Sequence, residues 1–144
     1  MSPEPWVQTF SAVVRDEDCD ALGHMNVQHY FRAVSDGMIV LMERLGLSRS
    51  EIARRRISFA VVRAETDFRR ELRPGDAMAL DSCIKQIDEK VIVFHHRLRI
   101  QTAEVAMSTD YRCVLLDLDR RRAVVVPDDI RIAASRYLPN PTTA

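Results

Sequence analysis

The longest regular pattern of apolar residues in this chain has the spacing of an α-helix. Apolar residues recur at steps of three and four from position 27 to position 45. The members of this stripe are Val27, Tyr30, Phe31, Val34, Met38, Leu41, Met42 and Leu45. Asn26 precedes the stripe as a natural N-cap, and Gly46 follows it as a natural C-terminal stop. The pattern therefore predicts one amphipathic helix with a single buried face.

Much of the remaining chain alternates between apolar and polar residues with a period of two, which is typical of β-strands. One strand is predicted before the helix and four follow it, with polar turns between them. The predicted strands cover residues 6–14, 60–68, 77–87, 91–101 and 105–118. The alternation is most regular from 60 to 68, so we expect one face of that strand to be exposed to solvent.

One long helix and about five antiparallel strands predict an α+β architecture, with the helix packed on one face of the sheet. Short helices are predicted over 48–56 and from residue 127 onwards. Proline residues make regular structure unfavourable at 1–5 and 139–141. The chain has 144 residues and shows no internal repeat or interdomain linker, so a single domain spanning 1–144 is expected.

The composition argues against several functional classes. Apolar residues make up 47% of the chain and charged residues 29%, as in a folded globular protein. Because the formal net charge is zero, no overall attraction to nucleic acid or to a membrane surface is expected. No segment approaches the roughly 20 apolar residues that span a bilayer. The N-terminus lacks the features of a signal peptide, and Cys19, Cys83 and Cys113 fit reduced thiols, so a cytoplasmic location is expected.

The residues best suited to chemistry lie in the loop that leads into the predicted helix. Residues 18–26 contain the carboxylates Asp18 and Asp20, together with His24 and Asn26, and Gly23 stands among them. A helix N-terminus presents unpaired backbone N–H groups and the positive end of the helix dipole. Such a place suits a reaction in which negative charge develops on an oxygen. An acidic loop with Asn26 as an ordinary helix cap would show the same residues.

Other candidate sites fit known chemistry less well. His24 and His29 are five residues apart, which does not match the spacing of helical zinc ligands. His95 and His96 point to opposite faces of one strand, so no metal site is predicted. Cys19 lacks a base oriented by a third group, which makes it a poor nucleophile. His96 shares its strand face with apolar residues and is expected to be a core histidine with satisfied hydrogen bonds.

The motif Asp18-Cys19-Asp20-Ala21-Leu22-Gly23-His24-Met25-Asn26, followed by Tyr30, resembles that of the hotdog-fold acyl-CoA thioesterases of the 4-hydroxybenzoyl-CoA thioesterase type. The turn Arg73-Pro74-Gly75-Asp76 that enters a strand adds to the resemblance, which extends over residues 8–135. The resemblance implies a hotdog fold, in which an antiparallel sheet of about five strands wraps around one long central helix. It also implies hydrolysis of an acyl-CoA thioester without a cofactor.

The resemblance further implies roles for residues of this motif. Asp20 matches the catalytic aspartate of the family, which acts on the thioester as general base or nucleophile. Gly23 and His24 match the loop that places backbone N–H groups near the thioester carbonyl, and Asn26 belongs to the same predicted catalytic set. Leu22 stands where the similar plant acyl-ACP thioesterases carry an asparagine, which favours the acyl-CoA branch. Asp18 is the competing carboxylate, since residues two apart in an extended segment share a face.

Substrate contacts and partners are expected on the same basis. Coenzyme A carries phosphates, which arginine side chains usually bind, and arginines cluster at 54–56, 69–70 and 120–122. Tyr30, Arg69 and Arg70 are the predicted substrate-binding residues. A homodimer or a dimer of dimers is expected, because an isolated sheet of this kind has open edges. The alternative function is a non-catalytic hotdog module that binds or senses acyl-CoA, since a fold does not determine an activity.

Overall fold

The structure is a computed structural model that describes residues 5–139, and the expected irregular termini fall largely on residues 1–4 and 140–144, outside this range. Within the described residues the helices are α1 (Val27–Arg44), α2 (Arg49–Arg55) and α3 (Asp128–Ser135). The strands are β1 (Val7–Val13), β2 (Ile57–Phe68), β3 (Ala77–Ile87), β4 (Val91–Ile100), β5 (Val105–Asp117) and the two-residue β6 (Arg122–Ala123). A 3₁₀ turn covers Asp16–Asp18. The predicted elements are therefore confirmed, with small differences at their ends.

The strands form one antiparallel sheet in the order β1-β3-β4-β5-β2, with β6 paired to the end of β5. The strands β3, β4 and β5 follow one another by tight turns, as their sequence spacing suggests. Strand β2 does not pair with β3, which follows it in the chain. It pairs with β5 and forms the edge of the sheet opposite to β1. The turn at 73–76 therefore ends a connection between strands that are not neighbours. The expected α+β fold of about five strands and one long helix is confirmed.

Helix α1 lies against the β1 and β3 side of the sheet. Asn26 caps its first turn, and Gly46 follows its last residues with φ +89°, as expected for a C-terminal stop. At Gly37 the helix approaches the sheet so closely that a Cβ atom would lie 2.6 Å from Leu80 Cδ2 and 2.7 Å from Thr9 Oγ1. Among the helices of residues 5–139, none is long and apolar enough to cross a bilayer.

Strand β2 corrects one expectation. The alternation from 60 to 68 predicts one buried face, but both faces of the strand are open along this segment. Val61 and Val62 lie where the pairing register of β2 with β5 shifts by one residue, and they are 49% and 57% exposed. The physical reason is that α1 packs mainly over β1 and β3, at the other end of the sheet, and that no described element pairs with the outer edge of β2. Twelve residues of unpaired edge with exposed valines form a surface suited to pairing.

A row of polar side chains crosses the apolar face of the sheet. Ser82, His96, Thr109 and Thr66 are successive cross-strand neighbours on β3, β4, β5 and β2. His96 is fully buried, and its Nδ1 lies 2.7 Å from Ser82 Oγ. Its Nε2 has no hydrogen-bond partner among the described residues, so the expectation of a fully satisfied core histidine is only half right. Burial lowers the pKa of His96 to about 3, and the ring is therefore neutral.

Candidate active site

The loop 18–26 forms a closed turn that is fixed to the segment after β2. The backbone N–H of Asp20 donates to the carbonyl of His24 (3.2 Å), and the N–H of Gly23 donates to the carbonyl of Asp20 (3.0 Å). Gly23 has φ +83°, a left-handed conformation that glycine adopts without steric cost. The N–H of Met25 donates to the carbonyl of Leu72 at 2.6 Å. The turn and the 68–72 segment therefore hold a fixed position relative to each other.

Asp20 carries a carboxylate with one hydrogen-bond donor on each oxygen. Its Oδ2 accepts from the side-chain amide of Asn26 at 2.9 Å, and its Oδ1 accepts from the backbone N–H of Leu22 at 2.9 Å. The Asn26 amide first, and then the Leu22 N–H, lower the pKa of Asp20. Each carboxylate oxygen keeps a lone pair for water or for a substrate. Asp20 is therefore ionised at neutral pH and able to accept a proton.

Asp18 belongs to the opposite side of the turn. It is 7% exposed and accepts hydrogen bonds from the backbone N–H (3.1 Å), Nε (3.4 Å) and Nη2 (3.1 Å) of Arg15. The Arg15 guanidinium is the main cause that lowers the pKa of Asp18. Its Oδ1 also lies 3.8 Å from Nδ1 of His29. Asp18 and His29 line a cavity on the β1 side of α1 that does not include His24. Asp18 and Asp20 therefore face different surroundings, although they are two residues apart.

Two residues that line the cavity beside Asp20 have backbone N–H groups without an acceptor among the described residues. Within residues 20–28, the N–H groups of Ala21, His24 and Val27 have no acceptor among the described residues. His24 and Val27 line a cavity of about 310 Å³ at the start of α1, whereas Ala21 does not. The Gly23 N–H, which the family resemblance places near a thioester carbonyl, is already engaged within the turn. His24 and Val27 are therefore the two residues of the cavity wall next to Asp20 whose backbone N–H groups have no acceptor in the described part of the chain.

The cavity itself is largely apolar and aromatic. Its wall consists of His24, Met25, Val27, Tyr30, Phe68, Arg69, Arg70 and Glu71. The rings of Tyr30 and Phe68 meet edge to face with 5.2 Å between their centroids, and the Tyr30 hydroxyl donates to the carbonyl of Arg70 at 3.4 Å. Burial raises the pKa of Tyr30, so its hydroxyl keeps its proton. Asp20 is not part of this wall, and it connects to the wall through Asn26, which stands between Met25 and Val27.

The arginines proposed for phosphate binding differ in their ion pairing. Arg69 has no carboxylate partner among residues 5–139, whereas Arg70 pairs with Glu104. The backbone N–H groups of Arg69 and Arg70 both donate to the carbonyl of Ala106, which anchors this end of β2. In the 54–56 cluster each arginine pairs with a carboxylate, on Glu51, Asp129 and Asp119 respectively. Arg69 is therefore the cationic side chain at the cavity that is available to an anion.

The surroundings of Cys19 and of the histidines do not favour a cysteine nucleophile or a metal site. Burial raises the pKa of the Cys19 thiol, which disfavours the thiolate that a nucleophile needs. His95 and His96 lie on opposite faces of β4, and His95 pairs with Asp110 at 2.5 Å. Across residues 5–139 there is no group of three His, Cys, Asp or Glu side chains that could hold a metal ion.

Sequence reasoning missed several residues of this site. The wall residues Met25, Val27, Phe68 and Glu71 were not predicted to contact a ligand. Phe68 was expected on a strand face covered by the core, but it is half exposed at the end of β2. The only sequence signal for Phe68 is its position directly before Arg69. This signal indicates a ligand contact only when β2 is known to be an exposed edge strand.

Comparison with known protein families identifies the chain's relatives. The family described as Thioesterase-like superfamily matches residues 14–133. A 1,4-dihydroxy-2-naphthoyl-CoA hydrolase of Prochlorococcus marinus (strain MIT 9303) is 25% identical over 138 residues, which is 90% of each chain. A protein of the same name from Synechococcus sp. (strain WH7803) is 28% identical over 125 residues, or 81% of each chain.

Solved structures show the same fold. A hypothetical Staphylococcus aureus protein in complex with CoA superposes with a TM-score of 0.84 at 20% identity, over 91% of this chain and 85% of that one. A gentisyl-coenzyme A thioesterase superposes with a TM-score of 0.76 at 22% identity, over 86% and 97% of the two chains. At this level of identity the likeness concerns the fold, and it confirms the expected sheet and central helix.

Proposed function

The chain belongs to the thioesterase-like superfamily and is a thioester hydrolase, and we propose that its reaction is the hydrolysis of an acyl-CoA thioester to a free acid and CoA. The names of the relatives support the CoA ester, since those hydrolases act on 1,4-dihydroxy-2-naphthoyl-CoA and gentisyl-CoA. The observation that carries the proposal is an ionised carboxylate, Asp20, bound to the cap of α1 beside a cavity with two open N–H donors.

In the proposed mechanism Asp20 activates a water molecule as general base, or attacks the thioester carbonyl directly. In the general-base form, Asp20 takes the proton of the water whose oxygen bonds to the carbonyl carbon. The carbonyl oxygen becomes an oxyanion, which the N–H groups of His24 and Val27 and the positive end of the α1 dipole stabilise. When the tetrahedral intermediate collapses, the C–S bond breaks and the CoA thiolate takes up the proton that Asp20 holds, which restores the carboxylate.

The acyl group occupies the aromatic cavity in this proposal. Tyr30 and Phe68 supply its apolar wall, and an arginine pair stands at its edge. Arg69 contacts a phosphate of CoA, because it is exposed and has no carboxylate partner among the described residues. Arg70 contributes less, since Glu104 already neutralises it.

We extend the proposal to a homodimer or a dimer of dimers that pairs through the edge of β2. Three observations support this surface: the unpaired edge of β2, the exposed Val61 and Val62, and the half-exposed Phe68 at its end. Val27, at the start of α1, is also half exposed beside the same cavity. A second copy along this edge covers these apolar groups and encloses the open side of the cavity.

Release of CoA thiol from short, long, aromatic and charged acyl-CoAs tests the activity. We expect hydrolysis of at least one class by the wild type and its loss in Asp20→Asn. Asp16→Asn is the matched control, because Asp16 is an exposed carboxylate four residues before Asp20 and has no ion pair in the described part of the chain. Tight binding of acyl-CoA without any thiol release by the wild type would favour the non-catalytic binding module instead.

Light scattering tests the assembly. A dimer or a tetramer is expected at micromolar concentration, and a mass near 16.5 kDa would contradict it. Val62→Lys places a charge on the exposed β2 surface and is expected to shift the assembly toward the monomer, whereas Ile132→Lys, at an exposed position of α3, is not.

A further inference from the structure

We propose that Asn26 is a positioning residue, whose single side-chain amide both caps α1 and orients the carboxylate of Asp20. This inference rests on the proposed function of the site, for which Asp20 supplies the base. It assigns to Asn26 a task beyond that of an ordinary helix cap.

The two hydrogen bonds of the amide fix its orientation. Asn26 Oδ1 accepts from the backbone N–H of Gln28 at 3.1 Å, which is the capping bond of α1. Asn26 Nδ2 donates to Asp20 Oδ2 at 2.9 Å. The Gln28 N–H requires an acceptor and the Asp20 carboxylate requires a donor. Both bonds therefore require that Oδ1 faces Gln28 and that Nδ2 faces Asp20. A flipped amide would lose both bonds.

The backbone of Asn26 is held as firmly as its side chain. Its N–H donates to the carbonyl of Asp18 at 2.9 Å, and its carbonyl accepts from the N–H of His29 at 3.0 Å. The Asp20 carboxylate is therefore tied, through one firmly bonded residue, to the helix whose first residue, Val27, lines the cavity. Any change in the direction of the amide changes where the base points relative to the N–H groups of His24 and Val27.

The residue type is specific to this double task. Ser, Thr, Asp and Asn all cap helices well, because each offers an acceptor oxygen. Asn is the one among them that carries an acceptor and a donor on the same planar group. A serine is one atom shorter and cannot reach both partners. An aspartate keeps the cap but presents a second negative charge to Asp20 in place of a donor.

Three variants separate orientation from capping. Asn26→Ser and Asn26→Asp both keep a capping oxygen and lose the amide donor. Ser48→Ala is the matched control, because Ser48 caps α2 through Glu51 N–H at 3.2 Å and has no contact with Asp20. The measurements are Tm, kcat and KM on the best acyl-CoA, the pH profile of kcat/KM, and the ¹³C carboxyl titration of Asp20 by NMR.

Both Asn26 variants are expected to keep a Tm close to the wild type and to lose kcat by tenfold or more, with little change in KM. Their acid limb in kcat/KM is expected to move to higher pH, and further in Asn26→Asp than in Asn26→Ser. Ser48→Ala is expected to lower Tm and leave the acid limb unchanged. Wild-type kcat and an unmoved acid limb in Asn26→Ser would overturn the proposal. Losses of kcat that only follow the loss of Tm would overturn it as well.

The NMR titration reports on the Asn26–Asp20 bond even if no substrate is hydrolysed. A higher titration midpoint of the Asp20 carboxyl in Asn26→Ser supports the positioning role, and an unchanged midpoint refutes it.

Discussion

Asp18 and Asp20 are two residues apart in the segment that leads into α1, and their surroundings differ in kind. Asp18 is buried and bound by a charged partner, Arg15, through three hydrogen bonds. Asp20 is partly exposed and bound by neutral donors, the Asn26 amide and the Leu22 N–H. Both carboxylates have a lowered pKa, but for different causes. A lowered pKa alone therefore does not distinguish a structural carboxylate from a reactive one.

The difference lies in what remains available after the hydrogen bonds are made. The guanidinium of Arg15 neutralises Asp18, and taking a proton would cost that carboxylate an ion pair. Asp20 has no cation bound to it in the described residues, so its charge and its free lone pairs remain open to a ligand. This difference is the reason why we propose Asp20, and not Asp18, as the catalytic carboxylate.

The largest expected effect is the loss of turnover in Asp20→Asn. The amide keeps the size of the side chain and removes the base, so kcat should fall by roughly 10²–10⁴-fold, the usual range for a positioned acid–base group. KM should change little, because the cavity wall does not include Asp20. Steady-state thiol release measures both constants, and thermal unfolding should show a Tm near that of the wild type. Near-wild-type turnover in this variant would transfer the catalytic role to another group.

Asp18→Asn should show the converse pattern, with a loss of stability and little change in kcat. Breaking this part-buried, charge-assisted interaction is expected to cost about 1 kcal/mol in the free energy of unfolding, because Arg15 is more than half exposed and solvent screens the pair. Because Arg15 lowers the pKa of Asp18 in the folded protein, the stabilisation is complete above the unfolded value of about 3.9 and is lost as the pH falls through the lower folded value. The difference between wild type and variant in urea unfolding should therefore shrink below about pH 4. A difference that is constant from pH 7 to pH 3 would contradict the ion pair as its source.

The contrast between these carboxylates shows where sequence reasoning succeeds. Local signals located the cap at Asn26, the stop at Gly46 and most strand ends, because these depend on neighbours within a few residues. The resemblance to hotdog thioesterases was confirmed for the family, whereas the role that it gives to Asp20 stays a prediction. The choice between Asp18 and Asp20 came from that resemblance, since the spacing alone allowed both.

The properties that were not predicted all depend on distant contacts. Asp18 belongs to the 3₁₀ turn at 16–18 and not to an extended segment. The rule that residues two apart share a face therefore does not apply to Asp18 and Asp20. The engaged N–H of Gly23 follows from the closure of the turn. The exposure of β2 follows from its pairing with β5, which has no signature in the sequence of β2 itself.

Gly23→Ala tests whether the closed turn positions Asp20 without affecting Asp18. An added Cβ meets no atom within 4 Å, so the cost comes from the backbone, which has φ +83°. A non-glycine residue in this region is expected to lose about 1 kcal/mol of stability. Strain at Gly23 acts on the carbonyl of Asp20, to which its N–H donates, and not on Asp18. A modest drop in kcat with unchanged pH dependence of stability is expected, from thiol release and from urea unfolding. A change in the low-pH stability would show that the turn also controls Asp18.

The smallest expected effect concerns Arg69, which lines the cavity of Tyr30 and Phe68, on the other side of α1 from the cavity of Asp18. If ligand charge is bound on that side alone, Arg69→Gln should raise KM for acyl-CoA about threefold and leave kcat unchanged, because an exposed ion pair contributes at most about 1 kcal/mol. Arg32→Gln is the matched control, since Arg32 is an exposed arginine that lines the cavity of Asp18. The Arg69 effect should fade as salt is raised, because solvent-exposed charges are screened. Equal KM values for both variants at low salt would mean that Arg69 contributes no more to acyl-CoA binding than Arg32 does. The phosphate contact would then have to be sought at the arginines 120–122.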